Sequence, residues 1–401
     1  MGIVVIPPLK CDSIFDFKML NRLYKLFFQS RLLPILICLS LCISLLSCHS
    51  YFLNKKESVY NKDGQRTISF VDEEGLHTQR SLEWWYHYGY FYEKDSSKYE
   101  WSFYSSFVRS PAGRYLMYKI TNLNTGKNYY HFVLDRMLKP LTLPISGKKF
   151  IFKYPKGENE KPEAWLDLNY DNSILKKQNG SYSYVLNEDS LVLSLLITHP
   201  DSAKPLLLEG TGLIGRKHPQ DIYYYSFPKL KTSGKLKIEN AVHDLKGDVW
   251  YDHQWVKPFP NKNVRWCWWG ITLDNGDAFN LYIVKHVLTG KPMFQSVTQL
   301  CKNGKTNFCK TILGSPKRIW KSPRTSIEYP VEWVLDIPEW GYELNISPQW
   351  DDHEMPILVY NYFWEGPCKV ILKEKSSGKI ISNGKGYQEL VGFYYDKFKL
   401  K

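Results

Sequence analysis

The chain has 401 residues and a formal charge of +13, from 53 Lys and Arg against 40 Asp and Glu. Apolar residues make up 43% and aromatics 16%, which excludes a disordered chain, and the 25 Gly and 22 Pro are too scattered for a collagen-like one. The length predicts two cores rather than one, the wealth of Trp, Tyr and Phe predicts strands, and a single membrane-compatible stretch excludes a polytopic membrane protein.

That stretch lies in the first fifty residues. Lys18, Arg22, Lys25 and Arg31 precede an apolar run from Leu32 to Leu46. The run falls short of the roughly 20 residues of a bilayer span and suits the core of a signal peptide. It ends Leu45-Leu46-Ser47-Cys48, which resembles a bacterial lipobox. Cys48 is therefore expected to carry lipid and become the new N-terminus, leaving 1–47 as signal peptide and 48–66 as tether. The alternative is a short anchor helix with a chance Cys. Residues 1–18 make a long leader, so Met19 is an alternative start. His49 stands where a retention signal would carry Asp, which favours an outer-membrane anchor in a bacterial cell envelope. The basic surface suits anionic headgroups. Its Lys are dispersed rather than clustered, so no nucleic-acid partner is expected.

From Thr67 onward, short alternating or aromatic runs are separated by turn residues. Trp101–Val108, Tyr115–Ile120 and Tyr129–Leu134 are predicted strands, with Pro111-Ala112-Gly113 and Asn122–Gly126 as turns. Ser190–Thr198 and Ala278–Lys285 follow the same pattern, the latter after Asp274-Asn275-Gly276-Asp277. No run holds a helical apolar period. Strands at about 8–12-residue spacing predict an all-β sandwich or barrel. Trp84-Trp85 near Gly89 and Trp268-Trp269 beside Gly270 form a weak internal echo. A seam is expected at Phe227-Pro228-Lys229, between β domains at 67–226 and 228–395. Cys301 and Cys309 flank an Asn303-Gly304 turn, where facing positions could close a disulfide or remain two thiols. Cys267 and Cys368 sit among aromatics and are predicted to be core.

Asp252 is the strongest candidate for chemistry. It lies in Gly247-Asp248-Val249-Trp250-Tyr251-Asp252-His253-Gln254-Trp255, where surrounding rings would strip water from its carboxylate and raise its pKa. A carboxyl group kept protonated near neutral pH can act as a general acid. Trp250 and His253 are its candidate partners. On a strand, however, Trp250, Asp252 and Gln254 face one way and Tyr251, His253 and Trp255 the other. Glu83, Glu365 and Glu389 also sit among aromatics and are expected to be structural, with Arg324 and Arg265 as available partners. No Gly-x-Ser-x-Gly elbow, phosphate loop or dinucleotide fingerprint occurs. Asp351-Asp352-His353-Glu354, between Pro348 and Pro356, is predicted to be a solvated loop. No metal or cofactor is expected.

Several motifs occur in order: Glu83-Trp84-Trp85-Tyr86, Trp250-Tyr251-Asp252-His253, and Trp269-Gly270 with Leu273-Asp274-Asn275-Gly276. They continue with Ser322-Pro323-Arg324-Thr325, Tyr329-Pro330, Phe363-Trp364-Glu365-Gly366, and Gly384-Lys385-Gly386-Tyr387-Gln388-Glu389-Leu390-Val391-Gly392-Phe393. Together, from about Ser81 to Tyr394, they resemble the carotenoid 1,2-hydratase and AttH-like (CrtC-like) family. The resemblance implies two lipocalin-like antiparallel β-barrels around an apolar cavity, and no cofactor. In the hydratase branch an acid protonates an isolated double bond and water captures the tertiary carbocation; the matching acid here is Asp252, with Trp250 beside the cation. Trp84, Trp85, Tyr86, Tyr223, Tyr225, Trp269 and Trp364 are the candidate ligand-binding aromatics. The hydratase branch carries a His-x-Trp pair roughly thirty residues before its Asp. Here that stretch is Tyr223-Tyr224-Tyr225-Ser226, so the AttH-like branch is the closer match. Three functions stay open: a lyase or isomerase acting on an apolar unsaturated substrate, a carrier of an apolar ligand or lipid, and, behind these, a hydrolase.

Overall fold

The computed structural model describes residues 74–77, 82–94, 96–110, 113–137, 166–188, 190–200, 202–214, 222–256, 264–357 and 361–393. The expected signal peptide, Cys48 and the expected tether lie outside the described residues.

The first sheet is built from β1 (Leu82–Glu93), β2 (Trp101–Ser110), β3 (Gly113–Asn122), β4 (Asn128–Met137), β5 (Asp167–Tyr170), β6 (Ser173–Gln178), β7 (Ser181–Glu188), β8 (Leu191–Thr198), β9 (Leu206–Leu207), β10 (Leu213–Ile214), β11 (Ile222–Ile238) and β12 (Ala241–Val256). The second contains β13 (Val264–Leu273), β14 (Ala278–His286), β15 (Pro292–Leu300), β16 (Thr306–Cys309), β17 (Leu313–Lys321), β18 (Glu328–Ile337), β19 (Tyr342–Pro348), β20 (Glu354–Ile357), β21 (Asn361–Glu374) and β22 (Ile380–Val391). The fold is all-β, as the alternating aromatic runs require; the helical pieces among the described residues are short 3₁₀ turns at Leu208–Gly210 and Pro338–Trp340.

The first sheet runs β4-β3-β2-β1-β12-β11-β8-β7-β6-β5 and curls into a near-closed barrel. Polar contacts bridge its outer strands. The Arg114 guanidinium on β3 donates to the Asn169 carbonyl on β5 at 2.6 Å, and the Asp171 amide donates to Asp135 of β4 at 2.6 Å. The second sheet runs β16-β15-β14-β13-β22-β21-β19-β18-β17 and curls into a half-barrel. Each sheet wraps its own core: Trp85, Phe103, Leu193 and Tyr225 lie in the first, Trp269, Leu281, Leu335 and Trp364 in the second.

A third apolar cluster lies between the sheets. Tyr86, Tyr88 and Tyr90 of β1 alternate with inward residues and meet Trp268, Phe363 and Tyr387 from the second sheet. Their hydroxyls tie the sheets together. Tyr88 donates to the Gly270 carbonyl at 2.9 Å, Tyr90 to the Gly386 carbonyl at 2.6 Å, and Tyr387 to Ser102 at 3.0 Å. Burial on both faces lets β1 be apolar or aromatic along most of its length.

Several expectations are corrected. Phe227-Pro228-Lys229 lies inside β11, at a register shift between Phe227 and Leu230 with Lys229 at φ 67°. Proline is tolerated at such a bulge because no ladder hydrogen bond is asked of it. The chain instead leaves the first sheet at Val256 and enters the second at Val264. Of the two states the sequence left open for Cys301 and Cys309, the structure has the free thiols. In the β15–β16 register Cys309 lies across from Val297, while the Cys301 amide bonds the Lys305 carbonyl. His353 and Glu354 are buried rather than solvated. Glu354 accepts from Ser322 at 2.6 Å and from Tyr329 at 3.0 Å, so it caps the Ser322-Pro323-Arg324-Thr325 turn. Arg324 binds Asp352 at 2.6 Å rather than any carboxylate between the sheets.

Gly270 packs closely against Trp268 and Tyr88 where the two sheets meet. A Cβ there would sit 2.7 Å from the Trp268 ring and 3.0 Å from that of Tyr88. Gly270→Val is expected to cost about 1–3 kcal/mol through overpacking. Denaturant unfolding measures the loss, and an unchanged midpoint would show that the sheets are not packed there.

Candidate active site

Asp252 sits near the middle of this inter-sheet layer. In the strand ladders it lies opposite Tyr86 of β1 on one side and Ser226 of β11 on the other. It is 3% exposed. Trp250, two residues earlier on the same strand face, donates its indole N–H to Asp252 Oδ1 at 2.6 Å. Tyr224 donates its hydroxyl to Oδ2 at 2.8 Å. From the second sheet, Asn280 Nδ2 donates to the Tyr224 hydroxyl oxygen at 2.9 Å, and the Trp268 indole donates to Asn280 Oδ1 at 3.2 Å. The Trp250 ring stacks on Tyr88 at 5.6 Å. Burial pushes the Asp252 carboxyl up to about 7, against the downward pull of hydrogen bonds from Ser226, Tyr224 and Trp250.

Two further carboxyl groups share the layer. Glu365 of β21 accepts from Tyr86 at 2.8 Å, while its Oε2 is buried with no hydrogen-bond partner. Burial, then the nearby Glu389, raise its pKa well above the ordinary range. Burial raises Glu389 to about 7, opposed by a hydrogen bond from Trp266 and reinforced by Asp252. Lys119 of β3 reaches into the same region. Its ammonium donates to the His353 carbonyl at 3.2 Å and closely to the Glu365 carbonyl. Burial pulls it down to about 7, with Glu365 offsetting part of the effect. Among the described residues Lys119 is the cation nearest these three carboxyl groups, and their burial disfavours ionising all three at once. Burial thus favours the protonated form of each of the three, Asp252 among them.

The predicted site residues fall in three places. Asp252, Trp250, Tyr86 and the half-buried Trp84 lie between the sheets. His253, Trp85, Tyr223 and Tyr225 line the barrel interior. Trp269 and Trp364 lie in the core of the second sheet. Strand alternation does this sorting, and it separates His253 from Asp252 as the period of two predicts. Inside the barrel, His253 Nε2 lies 2.9 Å from Glu83 Oε1. Burial would raise the Glu83 carboxyl, yet His77 and His253 together bring it down to about 2. The seven aromatics thus do not form one wall. A cavity of about 270 Å³ opens instead in the second sheet, lined in part by Arg265, Cys267, Ile283, Lys285, Trp333 and Phe393, and Asp252 does not line it.

The residues missed from sequence are Tyr224, Asn280, Lys119 and the pairing of Glu365 with Tyr86. Tyr224 was legible in part, because it shares a strand face with Ser226. Asn280 and Lys119 reach the layer only through the packing of one sheet on the other.

The structure is thus a paired-sheet β protein with a buried, aromatic-flanked acid between its sheets. The chain belongs to the AttH-like family, whose profile matches residues 61–393. Among solved structures it is similar to an AttH-type protein of Nitrosomonas europaea, at 22% identity and a TM-score of 0.67, covering 82% of this chain and 98% of that one. Kievitone hydratase of Nectria haematococca is similar at 15% identity and a TM-score of 0.65, covering 83% and 95%. CghA in complex with Sch210972 gives 9% identity and a TM-score of 0.50, covering 81% and 93%. At these identities the likeness defines the fold. No curated protein matches the chain by sequence.

The raised pKa of Asp252 has a thermodynamic consequence. The folded state binds this proton more tightly than the unfolded one, so its stabilisation is full below about 3.8 and is lost as pH rises through about 7. Glu389 acts with the same sign, whereas Glu83 stabilises above its ordinary range and loses that contribution as pH falls through about 2. Comparing Asp252→Asn with wild type cancels the shared terms. The variant is expected to gain on wild type by more than ~1.4 kcal/mol, the worth of a tenfold change in proton affinity, between pH 4 and pH 8. Denaturant titrations at both pH values measure this, and a constant difference would place the Asp252 proton elsewhere.

Proposed function

We propose that this protein catalyses proton-initiated chemistry on an apolar, unsaturated substrate, hydration or isomerisation of an isolated carbon–carbon double bond, with Asp252 as the acid. The observation that carries this reading is a carboxyl group raised to about 7 with a Trp indole and a Tyr hydroxyl on its two oxygens. Such an acid is protonated at neutral pH yet not so weak that it cannot give its proton up. In the hydration, the Asp252 proton bonds to the less substituted alkene carbon as the π bond breaks, leaving a carbocation on the other carbon. The π face of Trp250 turned away from Tyr88 stabilises that cation. Water adds to it, and the proton it sheds returns to the Asp252 carboxylate. Loss of a proton from a carbon beside the cation to the Asp252 carboxylate gives the isomer instead. The fold shared with kievitone hydratase supports the hydratase form of the reading. Tyr224, within the stretch that matches the hydratase branch's His-x-Trp pair, holds the carboxylate from the first sheet, and Asn280 holds Tyr224 from the second.

The alternative is a carrier. The cavity in the second sheet favours it, since Ile283, Trp333 and Phe393 offer apolar wall and Arg265 and Lys285 an anion-binding rim. In either case the proposed setting is a bacterial envelope, with the chain tethered through a lipid on Cys48 and its apolar partner drawn from the membrane.

Incubation with acyclic terpenoid and prenylated-phenol alkenes in heavy-oxygen water, followed by mass spectrometry, tests the enzymatic reading. Wild type is expected to form labelled tertiary alcohol, and the rate should fall as pH rises through about 7 and Asp252 ionises. Asp252→Asn is expected to lose at least ~10²-fold, the usual contribution of a general acid. Unchanged turnover in the variant overturns the assignment, and retention of extracted lipid without turnover in either protein favours the carrier. For the tether, Cys48→Ser is expected to move the protein from the membrane to the soluble fraction.

A further inference from the structure

The first barrel carries a second cluster that the proposed chemistry does not use. Among the described residues, one ligand atom each from His77, Glu83 and His253 comes within 4.8 Å of the others. Both imidazoles converge on a single carboxylate oxygen: His77 Nδ1 lies 2.7 Å and His253 Nε2 2.9 Å from Glu83 Oε1. Glu83 and His253 are fully buried, while the His77 side chain is 13% exposed. From these positions we infer that His77, Glu83 and His253 form a binding site for a borderline divalent transition metal such as Zn²⁺, with a water as fourth ligand.

The donor set fits. Two neutral imidazoles and one carboxylate, with an open position, are a common Zn²⁺ environment. Metal–ligand distances near 2.0–2.1 Å in a tetrahedron place donor atoms about 3.3 Å apart. Each hydrogen bond to Glu83 would have to open by about half an ångström, and the two imidazoles would have to draw together within their present limit. The surroundings already orient the ligands as a second shell does. The Tyr225 hydroxyl lies 3.1 Å from His253 Nδ1, the nitrogen turned away from the cluster. The His77 ring stacks on Trp255 at 4.0 Å, and the His253 ring on Trp85 at 4.9 Å. Soft thiolates are absent from the set and the carboxylate is single, which disfavours Cu⁺ and Ca²⁺ respectively.

The position gives such an ion a structural task. Residues 74–77 lie against the barrel, held by the Trp85 indole on the Glu74 carbonyl at 3.1 Å and by Arg109 on the His77 carbonyl at 3.2 Å. An ion shared by His77, Glu83 and His253 would fasten this segment to β1 and β12 at once. It would do so on the strand face opposite Asp252, so the inference stands apart from the proposed catalysis.

The test uses the full chain in detergent, stripped with a chelator and dialysed. Equilibrium dialysis with Zn²⁺ is expected to give one ion per chain and a higher unfolding temperature, since a ligand that binds the folded state stabilises it. Co²⁺ is expected to produce the visible bands of a four-coordinate site in wild type, a readout that needs no variant. His77→Ala and Glu83→Gln are expected to weaken Zn²⁺ at least ~100-fold, and Tyr225→Phe about tenfold as an outer-shell partner. Absence of both stoichiometric Zn²⁺ and the Co²⁺ bands overturns the inference and leaves the cluster a hydrogen-bonded clamp. So does binding that survives unchanged in well-folded His77→Ala.

Discussion

β1, and the neighbouring β12 from Val249 onward, are buried on both faces, and the placement of both titratable clusters follows from that constraint. A strand with solvent on one side has one set of residues to spend on packing. Here both sets are enclosed, one by the barrel interior and the other by the second sheet. Adjacent residues therefore enter different environments. Asp252 goes into the inter-sheet layer with Trp250 and Tyr224, and His253 goes into the barrel with Glu83 and Tyr225. The density of Trp and Tyr is explained by the same arrangement. Rings fill volume on each side, while their N–H and O–H groups satisfy carbonyls and carboxylates that neither compartment could leave bare.

Much of this was legible from residue order alone. The all-β class, the shielded Asp252 and the opposed faces of Trp250-Asp252-Gln254 and Tyr251-His253-Trp255 follow from period two and from what surrounds each residue. What failed was everything that needed to know which strand lies beside which. The seam expected at Phe227-Pro228-Lys229 is a bulge within β11, which only the pairing of β11 with β12 reveals. Tyr223 and Tyr225 are the aromatics of the stretch that matches the hydratase branch's His-x-Trp pair, whereas the register of β11 on β12 brings Tyr224 to Asp252. Whether Cys301 and Cys309 pair stayed open in the sequence because it depends on the β15–β16 register, and the ladder places Cys309 across from Val297. His353 and Glu354 looked solvated for their charge, and the Ser322 turn buries the Glu as its cap.

The inter-sheet layer also explains how one fold can host a carboxylic acid without losing its shape. A buried, unpaired carboxylate would cost several kcal/mol, and the cheaper state is the protonated one. Three such groups close together reinforce the preference, because ionising one makes the others harder to ionise. Lys119 does not cancel this, since its ammonium is aimed at the carbonyls of His353 and Glu365 rather than at a carboxylate oxygen.

Within that set Asp252 and Glu365 are not equivalent, and their hydrogen bonds say why. Glu365 accepts one hydrogen bond, from Tyr86, and its second oxygen has none, so a proton there displaces nothing. Asp252 has a donor on each oxygen, and the Tyr224 donor is itself held by Asn280. A proton on Asp252 must share an oxygen already engaged, whereas the carboxylate left after its departure is fully coordinated. Burial alone would make both groups weak acids; the donors on Asp252 favour its charged form and bring it to about 7, while Glu365 stays well above the ordinary range. Of these two, Asp252 is thus the one arranged to lose its proton at neutral pH and take it back, and that reversibility is what proton-initiated addition to a double bond requires.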